Sequence, residues 1–281
     1  MMAQNLLRQH ERPLPGMTIF IVILLGLKLT TAACRPAIVR ATALTPVETA
    51  DILAATVVIQ MVAPYVDEDG NRQFAVIDDL PTPLNTMDTG LGTLVGTGDV
   101  TIVVTHDHWN LVAAPELEVR ILDATGTILQ ILSGDAFRSL IRYRDGRVMI
   151  LNAPGSLTSV RRAGNGDAVQ PGSLVTVVYR DPLSGQLTVV PAAVEAQLDY
   201  KDVPSFRLDN LQDQRIEPGN SGGGVWYEGQ LIGVISHTIL AEVLGSNGEV
   251  ESKHASDRSY AARLSAVRMP DLAYGQPIAS R

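Results

Sequence analysis

From residue 55 onward the chain alternates between short apolar runs and compact polar breaks. Apolar, β-branched runs recur at 55–59, 92–95, 100–104, 117–122, 127–132 and 148–151. A second set follows at 174–179, 186–190, 223–226 and 231–235. Between them stand turn sequences such as Asp69-Gly70-Asn71, Gly96-Thr97-Gly98-Asp99, Asp145-Gly146, Asn165-Gly166-Asp167 and Glu228-Gly229. Runs this short, rich in Val, Ile and Thr and bounded by Gly, Asn and Asp, predict strands rather than helices. Their number and spacing predict an all-β barrel or sandwich. The polar stretch 161–172 divides the strands into two similar halves. One short C-terminal helix is predicted, over residues 259–267, and the chain has no heptad pattern or low-complexity tract.

Residues 1–34 follow a different pattern. Arg8 and Arg12 precede an apolar run of eleven, 17–27, which Lys28 interrupts before Leu29-Thr30-Thr31-Ala32-Ala33-Cys34. A basic flank, a short apolar core and small residues describe a secretory signal, and the run is short for a membrane span. A retained signal-anchor, with Lys28 reaching to the interface, is the competing arrangement. Cys34 is the only cysteine. Thr31-Ala32-Ala33-Cys34 resembles a bacterial lipoprotein processing site, with Thr31 where leucine is usual, so Cys34 is a lipidation candidate. The expected localisation is therefore exported: anchored to a cell-envelope membrane through this segment or a lipid, or secreted. Residues 35–50, with Pro36 and Pro46, suit a linker, and residues 51–275 hold the folded domain. No second cysteine exists to form an intrachain disulfide.

Composition narrows the chemistry. With 281 residues, 46% hydrophobic and 19% charged, the chain is globular and can bury a sizeable core. Its formal net charge is −8, with no dense basic run outside the N-terminus, so nucleic acid is not an expected partner. No glycine-rich phosphate loop precedes a helix, and His106 and His108 lack the second ligand pair of a zinc site. No metal or cofactor is expected.

Three segments carry candidate chemistry. Glu217-Pro218-Gly219-Asn220-Ser221-Gly222-Gly223-Gly224 surrounds a serine with glycines. Such a turn can present backbone amides beside a hydroxyl nucleophile, as acyl transfer requires. Val103-Val104-Thr105-His106-Asp107-His108 runs a strand into two histidines, either of which is placed to act as a general base. Asp145 stands at the mouth of the apolar run 148–151 and can orient a histidine ring; Asp123 and Asp135 are its rivals. The order His, Asp, Ser is that of two-barrel β proteases and not the Ser, Asp, His order of α/β esterases.

These segments together resemble the trypsin-like serine proteases, in motif style nearest the bacterial Deg-type proteases. The strand, threonine, two residues and histidine of Val103 to His108 are similar to that family's histidine motif and select His108. Asp145 before an apolar strand resembles its Asp-x-Ala-x-Leu segment, although Arg147 replaces the small residue expected there. Pro218-Gly219-Asn220-Ser221-Gly222-Gly223, followed by Leu231-Ile232-Gly233-Val234-Ile235-Ser236, matches most closely. The resemblance implies two six-stranded antiparallel β-barrels, about 51–160 and 170–270, with the active site between them. It implies a serine endopeptidase acting on protein or peptide substrates: Ser221 as nucleophile, His108 as base, Asp145 as the orienting acid. The oxyanion hole would be the amides of Gly219 and Ser221. Ser236 and His237 would line the substrate cleft, and Arg215, six residues before the serine, would sit at the floor of the specificity pocket. Asn220 stands where trypsin zymogens have an aspartate, so activation by a newly cut N-terminus is not expected. Nor is the C-terminal peptide-binding domain that many Deg-type proteases carry. The alternative is a catalytically inactive binding or scaffolding protein on the same fold, for which Arg147 beside the acid is the motivating feature.

Overall fold

The computed structural model describes residues 44–66, 69–76, 89–97, 100–109, 117–153, 163–164, 166–181, 183–211, 216–217, 219–244 and 250–267. The export segment, Cys34 and Arg215 lie outside them. Among the described residues no helix is long and apolar enough to cross a membrane.

The described chain opens with a helix inside the stretch that reads as a tether. Thr45-Pro46-Val47-Glu48 is a capping box: Thr45 Oγ1 accepts from the Glu48 amide at 3.2 Å, and the Glu48 carboxylate accepts from the Thr45 amide at 2.8 Å. Pro46 at the first helical position costs no hydrogen bond there, and the helix α1 (Pro46–Ala54) buries Ile52.

Eight strands follow: β1 (Thr56–Val66), β2 (Arg72–Val76), β3 (Thr89–Thr97), β4 (Val100–His106), β5 (Glu118–Leu122), β6 (Ile128–Ser133), β7 (Ile141–Arg144) and β8 (Val148–Asn152). They form one antiparallel sheet in the order β6-β5-β1-β3-β4-β8-β7, with β2 paired to β1. A short helix, α2 (Gly134–Ser139), capped by the Ser133 hydroxyl, bridges β6 and β7. The second half comprises β9 (Leu174–Arg180), β10 (Leu187–Tyr200), β11 (Val203–Asn210), β12 (Gly224–Tyr227), β13 (Gln230–Leu244) and β14 (Val250–Arg263). These six close into a barrel, β10-β11-β14-β13-β12-β9. The helix expected over residues 259–267 is corrected to the end of β14 and a single 3-10 turn, Leu264–Ala266. Strand pairing overrides helical propensity there: Ala261 and Ala262 lie opposite Phe206 and Ser205 of β11 and are fully buried.

Three apolar layers explain why several strands read as continuous hydrophobic runs. Val57, Ile59 and Met61 of β1 pack with Val103, Met149 and Leu151 inside the first sheet. Their neighbours Val58, Ile102, Val104, Val148 and Ile150 face the other way and pack with Val178, Trp226, Leu231 and Val234 of the barrel. A third layer, including Val175, Val177, Val190, Phe206, Val225 and Ile235, fills the barrel. With both faces covered, β4 and β8 carry no polar alternation. Ile150 is fully buried in the shared layer. Ile150→Ala is expected to lower stability by about 2–5 kcal/mol through lost burial and a residual cavity. Urea unfolding would show this as a lower midpoint at unchanged slope, and a midpoint within error of the parent would contradict that packing.

Candidate active site

β4 and the serine turn are joined by a relay of hydrogen bonds through β3. Thr105 donates its hydroxyl to the Leu91 carbonyl at 2.5 Å, and the Leu91 amide donates to the Ser221 carbonyl at 2.7 Å. Gly222 explains why the turn needs glycine. Its φ is +85°, and a Cβ there would lie 2.6 Å from Thr105 Oγ1 and run into the Leu91 carbonyl. Gly219 is also left-handed, at φ +90°. The turn is held from behind, where Gly222 and Ile235 exchange with β13: Gly222 N donates to Ile235 O at 2.7 Å, and Ile235 N to Gly223 O at 2.9 Å. Buried Asn220 pins the other side. Its Oδ1 accepts from the Arg180 amide, and its Nδ2 donates to the carbonyls of Arg180 and Glu217. A neutral amide thus ties the turn to the end of β9 without any ion pair.

Held this way, Ser221 presents Oγ 3.1 Å from Nε2 of His108. Of the two candidate histidines, His108 is the one at the serine. His106 is fully buried, accepts from the His108 amide through Nδ1 at 3.3 Å, and stacks on Trp109 with ring centroids 4.2 Å apart. Gly90 makes room for that stack, since a Cβ there would lie 2.6 Å from His106 Nε2. His106 is a packing residue at the end of β4.

Asp145 is placed elsewhere. It is exposed, and its carboxylate accepts from the Tyr143 hydroxyl at 2.7 Å and from the amides of Arg147 and Val148 at 2.9 and 2.7 Å. It caps the β7–β8 turn, as turn aspartates do. The structure does not bring it to His108, whose buried Nδ1 has no hydrogen-bond partner among the described residues. Asp107 does not fill that role either: its carboxylate accepts from the Gly146 amide at 2.7 Å and pairs with Arg144 at 2.9 Å. Asp135 pairs with Arg138 on α2, and Asp123 caps its own turn by accepting from Thr125 and Thr127.

The residue that does face inward is Arg147. The pairing of β4 with β8 sets Thr105 opposite Met149 and His106 opposite Val148, and the Asp107 amide donates to the Arg147 carbonyl at 3.0 Å. Arg147 is thus level with the residue before His108, and its side chain is only 6% exposed. Nη1 abuts both ring nitrogens of His237, at 2.6 and 2.7 Å. The guanidinium lies over the Tyr200 ring, 5.0 Å from its centroid. Ser236, beside His237, donates to the Tyr260 carbonyl at 3.3 Å.

This environment keeps the imidazoles neutral. His108 is pushed down to about 4, first by burial, then by His237 and by Arg147. His237 is also pushed down to about 4, by burial, then Arg147 and Lys201. His106 lies well below the ordinary histidine range, chiefly through burial. The burial of Asp107 raises its carboxyl, with the Gly146 amide and Arg144 pulling it back.

The antiparallel sheet, the closed six-stranded barrel and a serine–histidine contact bridging them define the chymotrypsin-type double-barrel fold. Solved structures agree with that fold. The chain is similar to the HtrA-type protease AlgW with a decapeptide in two structures, at TM-scores of 0.51 and 0.52 and sequence identities of 13% and 15%. These matches cover 81% and 80% of this chain and 66% of the AlgW chain, so the chain spans a little under two thirds of its neighbours' length. No protein family matches the sequence, and no curated protein is similar to it.

The sequence leaves Arg147 without a position and Tyr200 without a role. Arg147 shows in the sequence only as a departure from a motif; counting pairs along β8 from Thr105 is what moves it to the inner position. Tyr200 sits at the end of a long strand and carries no motif at all.

Proposed function

We propose that this chain is an exported serine endopeptidase in which Ser221 and His108 act as a catalytic pair. The observation that carries this reading is the 3.1 Å contact between Ser221 Oγ and His108 Nε2, on a turn braced from β3, β9 and β13. Ser221 attacks the scissile carbonyl while His108 takes its proton, and the acyl-enzyme is then hydrolysed by water. The amides of Gly219 and Ser221 are assigned to the oxyanion, since the amide between them, that of Asn220, turns back to the Glu217 carbonyl at 3.2 Å. The AlgW structures carry a decapeptide, which supports a peptide or protein substrate for this chain. Export and anchoring rest on residues 1–34, and mass spectrometry of the mature N-terminus tests whether Cys34 carries a lipid.

A serine-directed fluorophosphonate tests the pair. Labelling is expected at Ser221 in the folded protein and to vanish in Ser221→Ala; a folded protein that stays unlabelled sinks the catalytic reading. A second reading, a peptide-binding protein without turnover, draws on Arg147. A guanidinium near the base opposes the imidazolium that acyl transfer must form.

A further inference from the structure

Among the described residues the Arg147 guanidinium is a buried cation without a counter-ion. Among the described residues no carboxylate pairs with it, and only Nη1 of its side-chain nitrogens is engaged, by a neutral imidazole. A charge desolvated to this degree costs several kcal/mol unless an anion compensates it. The neighbours add positive potential. Lys201 stands at the tip of the β10–β11 hairpin, its Nζ 5.6 Å from the centroid of the Tyr200 ring. That tip is held in an unusual conformation, with Lys201 at φ +50° and Asp202 at φ +65°, where Asn-Gly would be the relaxed choice. Non-glycine residues kept in such a turn point to function. Tyr200, stacked on Tyr260 at 4.1 Å, forms an aromatic wall that also meets His237 edge-on at 5.6 Å. Tyr200, His237 and His108 beside it are half-buried.

We propose that Arg147, Lys201 and Tyr200 form an anion subsite beside the Ser221–His108 pair that binds a carboxylate of an acidic peptide. It rests on the reading of this cleft as a peptide site. The guanidinium fork receives the carboxylate in charge-assisted hydrogen bonds, Lys201 adds attraction at the rim, and the Tyr200 ring packs against the peptide. The carboxylate belongs either to an Asp or Glu side chain or to a free C-terminus, and both present the same two oxygens.

Binding to the Ser221→Ala protein tests this apart from turnover. Three fluorescent peptides of one length are compared: one with internal Glu and an amidated end, one with Gln in those places and an amidated end, and the Gln peptide with a free C-terminal carboxylate. At least one carboxylate peptide is expected to bind about tenfold or more tighter than the neutral one, the value of a charged hydrogen bond. Which one does so identifies the source. Arg147→Met in the same background is expected to remove the preference. Lys201→Ala, on an exposed turn, is expected to reduce it and weaken its salt dependence. Equal affinity for all three peptides overturns the proposal, as does a preference that survives Arg147→Met with circular dichroism unchanged. Should Arg147→Met not fold, an undiminished preference in Lys201→Ala overturns the part assigned to the rim, and competition by free glutarate tests the Arg147 pocket directly. Fluorophosphonate labelling reads the catalytic pair separately, so a labelled protein with no carboxylate preference refutes the subsite alone.

Discussion

Arg147→Asp is expected to raise the rate of fluorophosphonate labelling and of hydrolysis of an uncharged peptide by about ten- to a hundredfold. His108 sits at about 4, and a base that weak takes the serine proton against a steep gradient. In a complete triad the acid orients the imidazole through Nδ1 and stabilises the imidazolium, and losing that function costs about 10⁴ in turnover. Among the described residues His108 Nδ1 has no partner, and the inward residue just before β8 is a cation. Reversing its sign removes one cause of the low pKa and supplies the missing one of opposite direction. Only part of the factor is expected back, because burial is the largest cause and the carboxylate arm is shorter than the guanidinium it replaces. Arg147→Met separates the two contributions: it removes the repulsion without adding an acid, so its gain is smaller. Neutral substrates are required, since the same substitution abolishes the carboxylate subsite. If neither variant reacts faster while both keep the parent circular dichroism, Arg147 does not restrain the pair.

The fold was more legible than the site, and the difference has a physical cause. A strand buried on both faces must be apolar along its length, so β4 and β8 announced themselves as runs, and Thr105 to His108 kept a spacing that the Leu91 relay demands. The serine turn was legible because Gly222 has no room for a Cβ. Asp145 was misleading for an equally local reason. An aspartate before a Gly in a β-turn caps the amides two and three residues on, and that capping competes with any longer-range role. Among the described residues the position beside His108 is a matter of register: Arg147 and Asp145 are two residues apart, and the pairing of β4 with β8 decides which lies level with it. The capping box of Thr45 and Glu48 was written in the sequence and passed over because Pro46 reads as a tether residue. The end of β14 had helix-forming alanines that only the closure of the barrel converts to strand.

Acid is expected to unfold this protein earlier than its carboxylates alone would suggest, with the loss running from about pH 6.5 down to about pH 4. For His108 the folded state binds its proton only near pH 4, whereas the unfolded chain binds it near the ordinary value of 6.5. Between those two values unfolding takes up a proton, so stability falls as the pH falls; above 6.5 the contribution is fully present, and below 4 it is gone. The shift corresponds to about 3 kcal/mol for His108. His106, wholly buried, works in the same direction, and half-buried His237 adds less because water screens it. The charged groups at this cluster, Arg147 and Lys201, both oppose protonation, and no described carboxylate at the rings favours it. Asp107 has the opposite sign: its raised carboxyl binds a proton more readily folded than unfolded, which offsets part of the loss just above its ordinary value of 3.8. Urea midpoints taken between pH 7.5 and 4.5 should therefore fall steadily, and His108→Gln, with one titrating ring fewer, should show a shallower fall. A flat profile over that range would mean that the imidazoles ionise as freely in the folded protein as in the unfolded chain. Folded protein that survives at pH 5 should still label at Ser221, because His108 remains unprotonated there; a labelling rate halving near pH 6.5 would show an ordinary histidine instead.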